Sequence, residues 1–249
     1  INPSPVYYSN LGVIYKETSR YSEAIACFQK AIELKPDLAE AYSNIGNTFL
    51  AQRRPEEALP YLYKAIEINP KLSEVHNNIG NAFSDMNRYE DAIPWFQKAL
   101  AINPESDIAY YNMGNALQSL HRYPESIECF KKAAELNPND HKPYYGIGNS
   151  LLDMKKMEDA IVWFRKSLEL CPDLPEAYSN IIHLSQQVCA WDAVENLTPR
   201  FDELVNQEMA SGKRASETPL VNLSKEMNPE RNLAIAKSWG NYIESSVAR

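Results

Sequence analysis

The sequence predicts an all-α protein, a solenoid of stacked helix-turn-helix units with a helical extension at its C-terminal end. The prediction rests on a 34-residue period, which glycine marks most clearly: Gly12, Gly46, Gly80, Gly114 and Gly148. Proline recurs at the same spacing: Pro36, Pro70, Pro104, Pro138 and Pro172. A fixed period of this length is typical of arrays in which each unit packs against its neighbours.

Each unit is expected to contain two helices. We number each unit so that its glycine is position 8. The residues that recur at positions 4, 7, 8 and 11 then fall on one face of a first helix. Positions 20, 24 and 27 do the same for a second helix, where alanine or serine flanks a large apolar residue such as Phe28 or Phe96. The proline at position 32 then ends the second helix, because it disfavours helical geometry in the residue before it.

These columns resemble the tetratricopeptide (TPR) repeat in all eight signature positions, with tyrosine in place of the usual tryptophan at position 4. The resemblance implies a right-handed superhelical solenoid. It covers residues 5–174 as five complete repeats: 5–38, 39–72, 73–106, 107–140 and 141–174. Residues 1–4 are interpreted as the tail of a preceding repeat, because Ile1-Asn2-Pro3 repeats a triplet that closes later repeats, as in Ile68-Asn69-Pro70. The chain is therefore expected to be a piece of a longer protein.

A sixth unit begins at Pro175 but loses the pattern, since Ile182 stands where glycine is expected. We expect a first helix over 175–187, a divergent cap up to residue 208, and a loop plus a C-terminal helix over 209–249. A charged helix is expected from about Pro199 to Ala210. Asp37, followed by Glu40, predicts a side-chain cap at the start of one first helix.

Composition excludes several classes of function. The formal net charge of −8 argues against nucleic-acid binding, which requires a basic surface. No apolar run is long enough for a membrane span, and no signal peptide is recognisable. The four cysteines lack metal-binding or disulfide-like spacing, which favours reduced thiols and a cytoplasmic protein. No catalytic group, metal site or cofactor is predicted.

The candidate binding site is a second face of the first helices, at positions 6 and 9. Asparagine is a mediocre helix residue, yet it fills nine of these positions. Amide side chains both donate and accept hydrogen bonds, so regularly spaced rows of them can hold the main chain of an extended peptide. The predicted peptide-binding residues are Asn10, Asn44, Asn47, Asn78, Asn81, Asn112, Asn115, Asn149 and Asn180, with Tyr111, Tyr145 and His183 beside them.

A second interpretation stays open, because such asparagines are common in the TPR consensus and can instead bridge neighbouring helices. Both roles are compatible. A clamp for a C-terminal carboxylate is disfavoured, since Lys142 is the single basic residue at positions 2 and 5 of the units.

The C-terminal segment carries a further resemblance. Pro172-Asp173-Leu174-Pro175, Ala177-Tyr178-Ser179-Asn180 and Val188-Cys189-Ala190-Trp191 are similar to the end of the repeat array in O-linked N-acetylglucosamine transferases, including bacterial and SPINDLY-like relatives. The resemblance implies the non-catalytic, substrate-recognition part of a protein O-glycosyltransferase. A UDP-sugar would then bind only through a catalytic region that these residues do not include. The alternative is a stand-alone TPR adaptor or scaffold with no associated enzyme.

Overall fold

The structure, a computed structural model, describes residues 4–214 and 234–239. These residues form helices and short turns, with no strand among them, as the predicted all-α solenoid requires. The helices are α1 (Pro5–Glu17), α2 (Tyr21–Leu34), α3 (Ala39–Ala51), α4 (Pro55–Ile68), α5 (Ser73–Asp85), α6 (Tyr89–Ile102), α7 (Asp107–Ser119), α8 (Tyr123–Leu136), α9 (His141–Asp153), α10 (Met157–Leu170), α11 (Pro175–Gln187) and α12 (Trp191–Ala210). A further helical segment covers 234–239.

The chain divides into two compact units, Ile1–Pro138 and Asn139–Arg249. In unit 1, α1 to α8 form four consecutive helix pairs, and the second helices α2, α4 and α6 also pack against the first helices α3, α5 and α7. Successive first helices contact one another (α1 with α3, α3 with α5, α5 with α7). The second helices of unit 1 make no comparable contact among themselves, so the first helices form the inner, more crowded side of this stack.

Unit 2 repeats the arrangement over a shorter length. Helix α9 pairs with α10, and α11 packs against both α10 and α12. A core at its C-terminal end contains Tyr178, Ile182, Phe201 and Val205, and Ile235 of the helical segment is fully buried in it. The interpretation of 209–249 as a loop plus a helix falls largely outside the described residues.

The glycine period is explained by the contact between the two helices of a pair. At Gly80, an added Cβ would lie 2.5 Å from the Phe96 ring, closer than real Cβ contacts allow. The Phe96 side chain is fully buried, so it has little room to move away. The small residue of the first helix thus accommodates the large residue of the second.

Two local predictions were wrong. The side-chain cap expected at Asp37 does not form, because the N-cap residue of α3 is Leu38, one residue later. Leu38 makes no side-chain cap bond, and Asp37 precedes the cap position. The charged helix predicted from Pro199 instead begins at Trp191, with Pro199 in its interior. Burial of Phe201, Leu204 and Val205 along one face offsets the backbone bond that proline removes.

Candidate functional site

The predicted binding residues lie on the first helices. Asn44 and Asn47 are on α3, Asn78 and Asn81 on α5, and Asn112 and Asn115 on α7. These three helices form consecutive members of the inner side of unit 1. Most of the predicted asparagines are half-buried, whereas Asn10 is exposed and Asn78 is buried.

Some of these amides join neighbouring helices within unit 1. The Asn47 Nδ2 group donates to Glu74 Oε1 at 3.3 Å, which links α3 to α5. The Asn112 Nδ2 group donates to Asn77 Oδ1 at 3.1 Å, which links α7 to α5. The helix-bridging interpretation therefore holds for Asn47 and Asn112.

The same bridging occurs in unit 2. The Asn180 Nδ2 group donates to the Tyr145 hydroxyl at 3.2 Å and to Asn149 Oδ1 at 3.5 Å. Burial raises the pKa of Tyr145, whose ring also packs on Phe164. These three predicted residues therefore form a connection between α9 and α11.

The remaining predicted residues are less constrained by neighbouring helices. Tyr111 packs its ring on Phe130, a contact within its own helix pair. His183 is exposed on α11, and its Nε2 lies 3.0 Å from the amide of Gln187. Asn78 is only 8% exposed, and its Nδ2 group is buried without a hydrogen-bond partner in the described part of the chain.

Unit 1 contains an open cavity of about 460 Å³ between α3, α5 and α7. This volume falls in the range of small-ligand pockets, roughly 300–1,000 Å³. Three of the predicted asparagines line it: Asn81, Asn112 and Asn115. The other lining residues are Leu50, Ala51, Arg53, Ser84, Asp85, Tyr89, Ala116 and Ser119.

The polar groups of this cavity differ from the bridging amides. The side chains of Asn81, Asn115, Asp85 and Arg53 have no hydrogen-bond or ion-pair partner within residues 4–214 and 234–239. The Ser84 hydroxyl is also unpartnered and shielded from solvent. Desolvation raises the pKa of Asp85, and the Arg53 guanidinium opposes this shift.

Sequence reasoning did not single out Asp85 or Asn77 as site residues. Asp85 occupies position 13, on the same helix face as the asparagine rows, so helical spacing could have identified it. Asn77 occupies position 5 of its repeat, outside the asparagine rows at positions 6 and 9. Its acceptor role for Asn112 depends on the packing of α5 against α7, which periodicity alone does not give.

The described residues show no other type of site. No cluster of three or more His, Cys, Asp or Glu side chains among them could hold a metal ion. None of their helices is long and apolar enough to cross a membrane.

Comparison with known proteins identifies the repeat. Family models described as TPR repeat and Tetratricopeptide repeat match residues 12–52, 37–105, 108–140 and 141–174. No curated protein matches the chain.

Solved structures with the same fold include PilF from Pseudomonas aeruginosa, at 20% identity, a TM-score of 0.72, and coverage of 84% of this chain and 97% of that one. PilW, a type IV pilus biogenesis factor, matches at 19% identity, a TM-score of 0.72, and coverage of 84% and 94%. MamA from Desulfovibrio magneticus RS-1 matches at 23% identity, a TM-score of 0.59, and coverage of 69% and 96%. At these identities the likeness concerns the fold alone.

Proposed function

Because the chain is a tetratricopeptide-repeat protein over residues 12–174, we propose that this protein-interaction module binds an extended polypeptide along the inner face of its first helices. Repeat arrays offer long surfaces of this kind. The proposal assigns binding and no catalytic step to these residues.

The observation that carries the proposal is which of the asparagine amides have hydrogen-bond partners within the protein. Asn47, Asn112 and Asn180 each donate to a neighbouring helix, whereas Asn81 and Asn115 line a cavity without any partner in the described structure. An amide that the protein itself does not satisfy can donate to and accept from the main chain of a bound peptide. We therefore assign the first contacts with the client to Asn81 and Asn115, and a bridging role to Asn47, Asn112 and Asn180.

The adaptor interpretation has better support than the glycosyltransferase one. The matched region covers 97% of the PilF chain and 94% of the PilW chain. Almost all of each solved chain is thus accounted for by the aligned helices, which leaves no room there for a large catalytic region. We propose that this chain likewise acts as an adaptor or scaffold.

The glycosyltransferase interpretation depends on residues 172–191 and on the segment from Pro219 to Gly240, most of which lies outside the described residues. Reading the gene beyond Arg249 tests it. An encoded α/β region for a sugar nucleotide would support it, and an unrelated region or a stop codon there would remove it.

We also propose a reducing compartment, in keeping with the predicted cytoplasmic location. All four cysteines are free. Burial raises the pKa of Cys129 to about 11, which keeps this thiol protonated and unreactive. Mass spectrometry of the protein from its native cells should find all four as thiols, and a disulfide would contradict the proposal.

Binding can be tested with a short fluorescent peptide in which serine alternates with glutamine, since it offers main chain without charge. The full chain should raise its fluorescence anisotropy. The double variant Asn81→Ala/Asn115→Ala should weaken binding by about tenfold, equivalent to one or two hydrogen bonds of about 1 kcal/mol. The control variant Gln29→Ala/Gln97→Ala removes two amides from second helices and should bind as the parent does. Equal losses in both variants would overturn the proposal.

A further inference from the structure

The inner face of unit 1 has an unequal distribution of charge. Positions 2 and 13 flank the asparagine rows on the same helical face. In unit 1 these positions carry four carboxylates and no basic residue. The eight residues are Val6, Glu40, Glu74, Ile108, Glu17, Ala51, Asp85 and Ser119.

The cavity lies at the C-terminal ends of three first helices. Helices α3, α5 and α7 end at Ala51, Asp85 and Ser119, and all three terminal residues line the cavity. The C-terminal end of a helix carries a partial negative charge, about half an elementary charge, from carbonyl groups without intrahelical partners. Three such ends and one carboxylate therefore surround the same volume.

Among the described residues, Arg53 is the one cation that lines this cavity. Its position limits how far its charge offsets the negative charge of Asp85 and the helix ends. It follows the C-terminal end of α3, where a cation complements that helix. It forms no ion pair with Asp85, since no nitrogen of Arg53 lies within 4.0 Å of that carboxylate. The Asp85 carboxylate thus remains without a direct partner.

We propose that the client of unit 1 is a basic segment, and that one of its Lys or Arg side chains binds in this cavity against Asp85 while Asn81 and Asn115 hold its main chain. The inference rests on the proposed function and adds the chemical class of the client. A cationic side chain would pair with Asp85 and interact favourably with the three helix ends.

Two further properties agree with this client. Desolvation raises the pKa of Asp85, so its carboxylate gains more from an added cation than a fully hydrated one would. The net charge of −8 also attracts basic chains to the protein before any specific contact forms.

The test uses three fluorescent peptides of equal length, in which serine alternates with lysine, glutamine or glutamate, and the full chain at roughly 0.15 M ionic strength. We expect the lysine peptide to bind best and the glutamate peptide worst. Asp85→Asn should reduce the preference for lysine over glutamine by about three- to fivefold, the upper part of the range for an exposed ion pair.

The matched control is Asp153→Asn. Asp153 also occupies position 13, but it lies in unit 2 and does not line this cavity, and its replacement changes the net charge equally. The preference for lysine should change by less than about twofold in this variant, because only long-range attraction is reduced. Equal effects of the two substitutions would overturn the proposed site, since net charge alone would then explain the preference.

The remaining outcomes separate this inference from the proposed function. If all three peptides bind equally and Asn81→Ala/Asn115→Ala weakens each of them, the basic client is excluded and peptide binding stands. If none of the peptides binds, both fail. Circular dichroism of Asp85→Asn should match the parent, because the Asp85 side chain makes no contact that the fold requires.

Discussion

One residue in each helix-turn-helix unit has a left-handed backbone, although none of them is glycine. These residues follow the first helices, with φ between 57° and 60°: Ser19, Arg53, Asn87, His121, Lys155 and Cys189. Left-handed geometry costs an ordinary L-residue about 1–2 kcal/mol, and glycine avoids this cost. Each turn therefore contains one strained residue that the pattern of glycines does not reveal.

Replacing Lys155 by glycine should relieve this strain. Lys155 is exposed, and its side chain has no hydrogen bond or ion pair in the described structure, so little else is lost. After allowance for the greater freedom of glycine in the unfolded chain, we expect a gain of about 0.5–1 kcal/mol in the free energy of unfolding. Urea denaturation measures it. As a control, Val162→Gly, at an exposed position inside α10, should lower the free energy of unfolding, because glycine is less favourable than valine in a helix interior. A loss in both variants would show that the left-handed residue is unstrained.

Asn112 and Asn78 occupy the same position in adjacent repeats, yet they should respond oppositely to alanine. Asn112→Ala leaves the buried Asn77 Oδ1 atom without its donor and should cost about 1–3 kcal/mol. Asn78→Ala removes a buried, unpartnered amide and should leave the free energy of unfolding unchanged or raised. Thermal unfolding of the two single variants distinguishes them, and a similar loss in both would contradict the assigned hydrogen bonds.

At the scale of elements, α1 exposes a face that later first helices bury. Tyr7 is 54% exposed and Ile14 56%, whereas Val75 and Ala82, at the equivalent positions of α5, are 1% and 0% exposed. In α5 this face packs against α4, the second helix of the preceding pair. The described structure contains no helix before α1, so no described residue covers this face of α1.

This difference gives a prediction for matched positions. Ile14→Gln should change the free energy of unfolding by less than about 0.5 kcal/mol, as expected for an exposed site. Ala82→Gln should lower the free energy of unfolding by several times more, because the larger side chain does not fit the buried contact and its amide group would be buried. Thermal unfolding measures both. A large loss for Ile14→Gln would show that another surface covers α1 in solution.

The helices themselves were predictable because their signals are local. Glycine, alanine and proline at fixed positions gave the five helix pairs, and α11 spans the predicted residues Pro175–Gln187. The start of α12 was missed because tertiary burial of Phe201 and its neighbours outweighs the local effect of Pro199.

For the candidate site, helical spacing identified the helix face that carries the asparagines. Which amides are paired depends on how α3, α5 and α7 pack, and the sequence does not specify this.

At the scale of the whole molecule, stability in unit 1 comes from contacts between neighbouring helices. Helix α4 packs against α3 and α5 through a core that contains Leu62 and Phe96, and α8 packs against α7 and contains the fully buried Phe130. In such an array the free energy is close to a sum of terms for each repeat and each interface. A substitution that destabilises one repeat should therefore lower the stability of that repeat and its direct neighbours, and have little effect on the others.

Leu62→Ala, in α4, tests this locality. Leu62 is fully buried, so the cavity should cost about 2–5 kcal/mol. In native-state hydrogen exchange, the amides of α3 to α5 should exchange at least about tenfold faster, whereas those of α7 and α8 should change little. Phe130→Ala, in α8, is the matched variant and should give the reverse pattern, with α7 and α8 accelerated and α1 to α3 spared. Uniform acceleration from α1 to α8 in both variants would mean that unit 1 unfolds as one cooperative body, and an additive array would then be the wrong description.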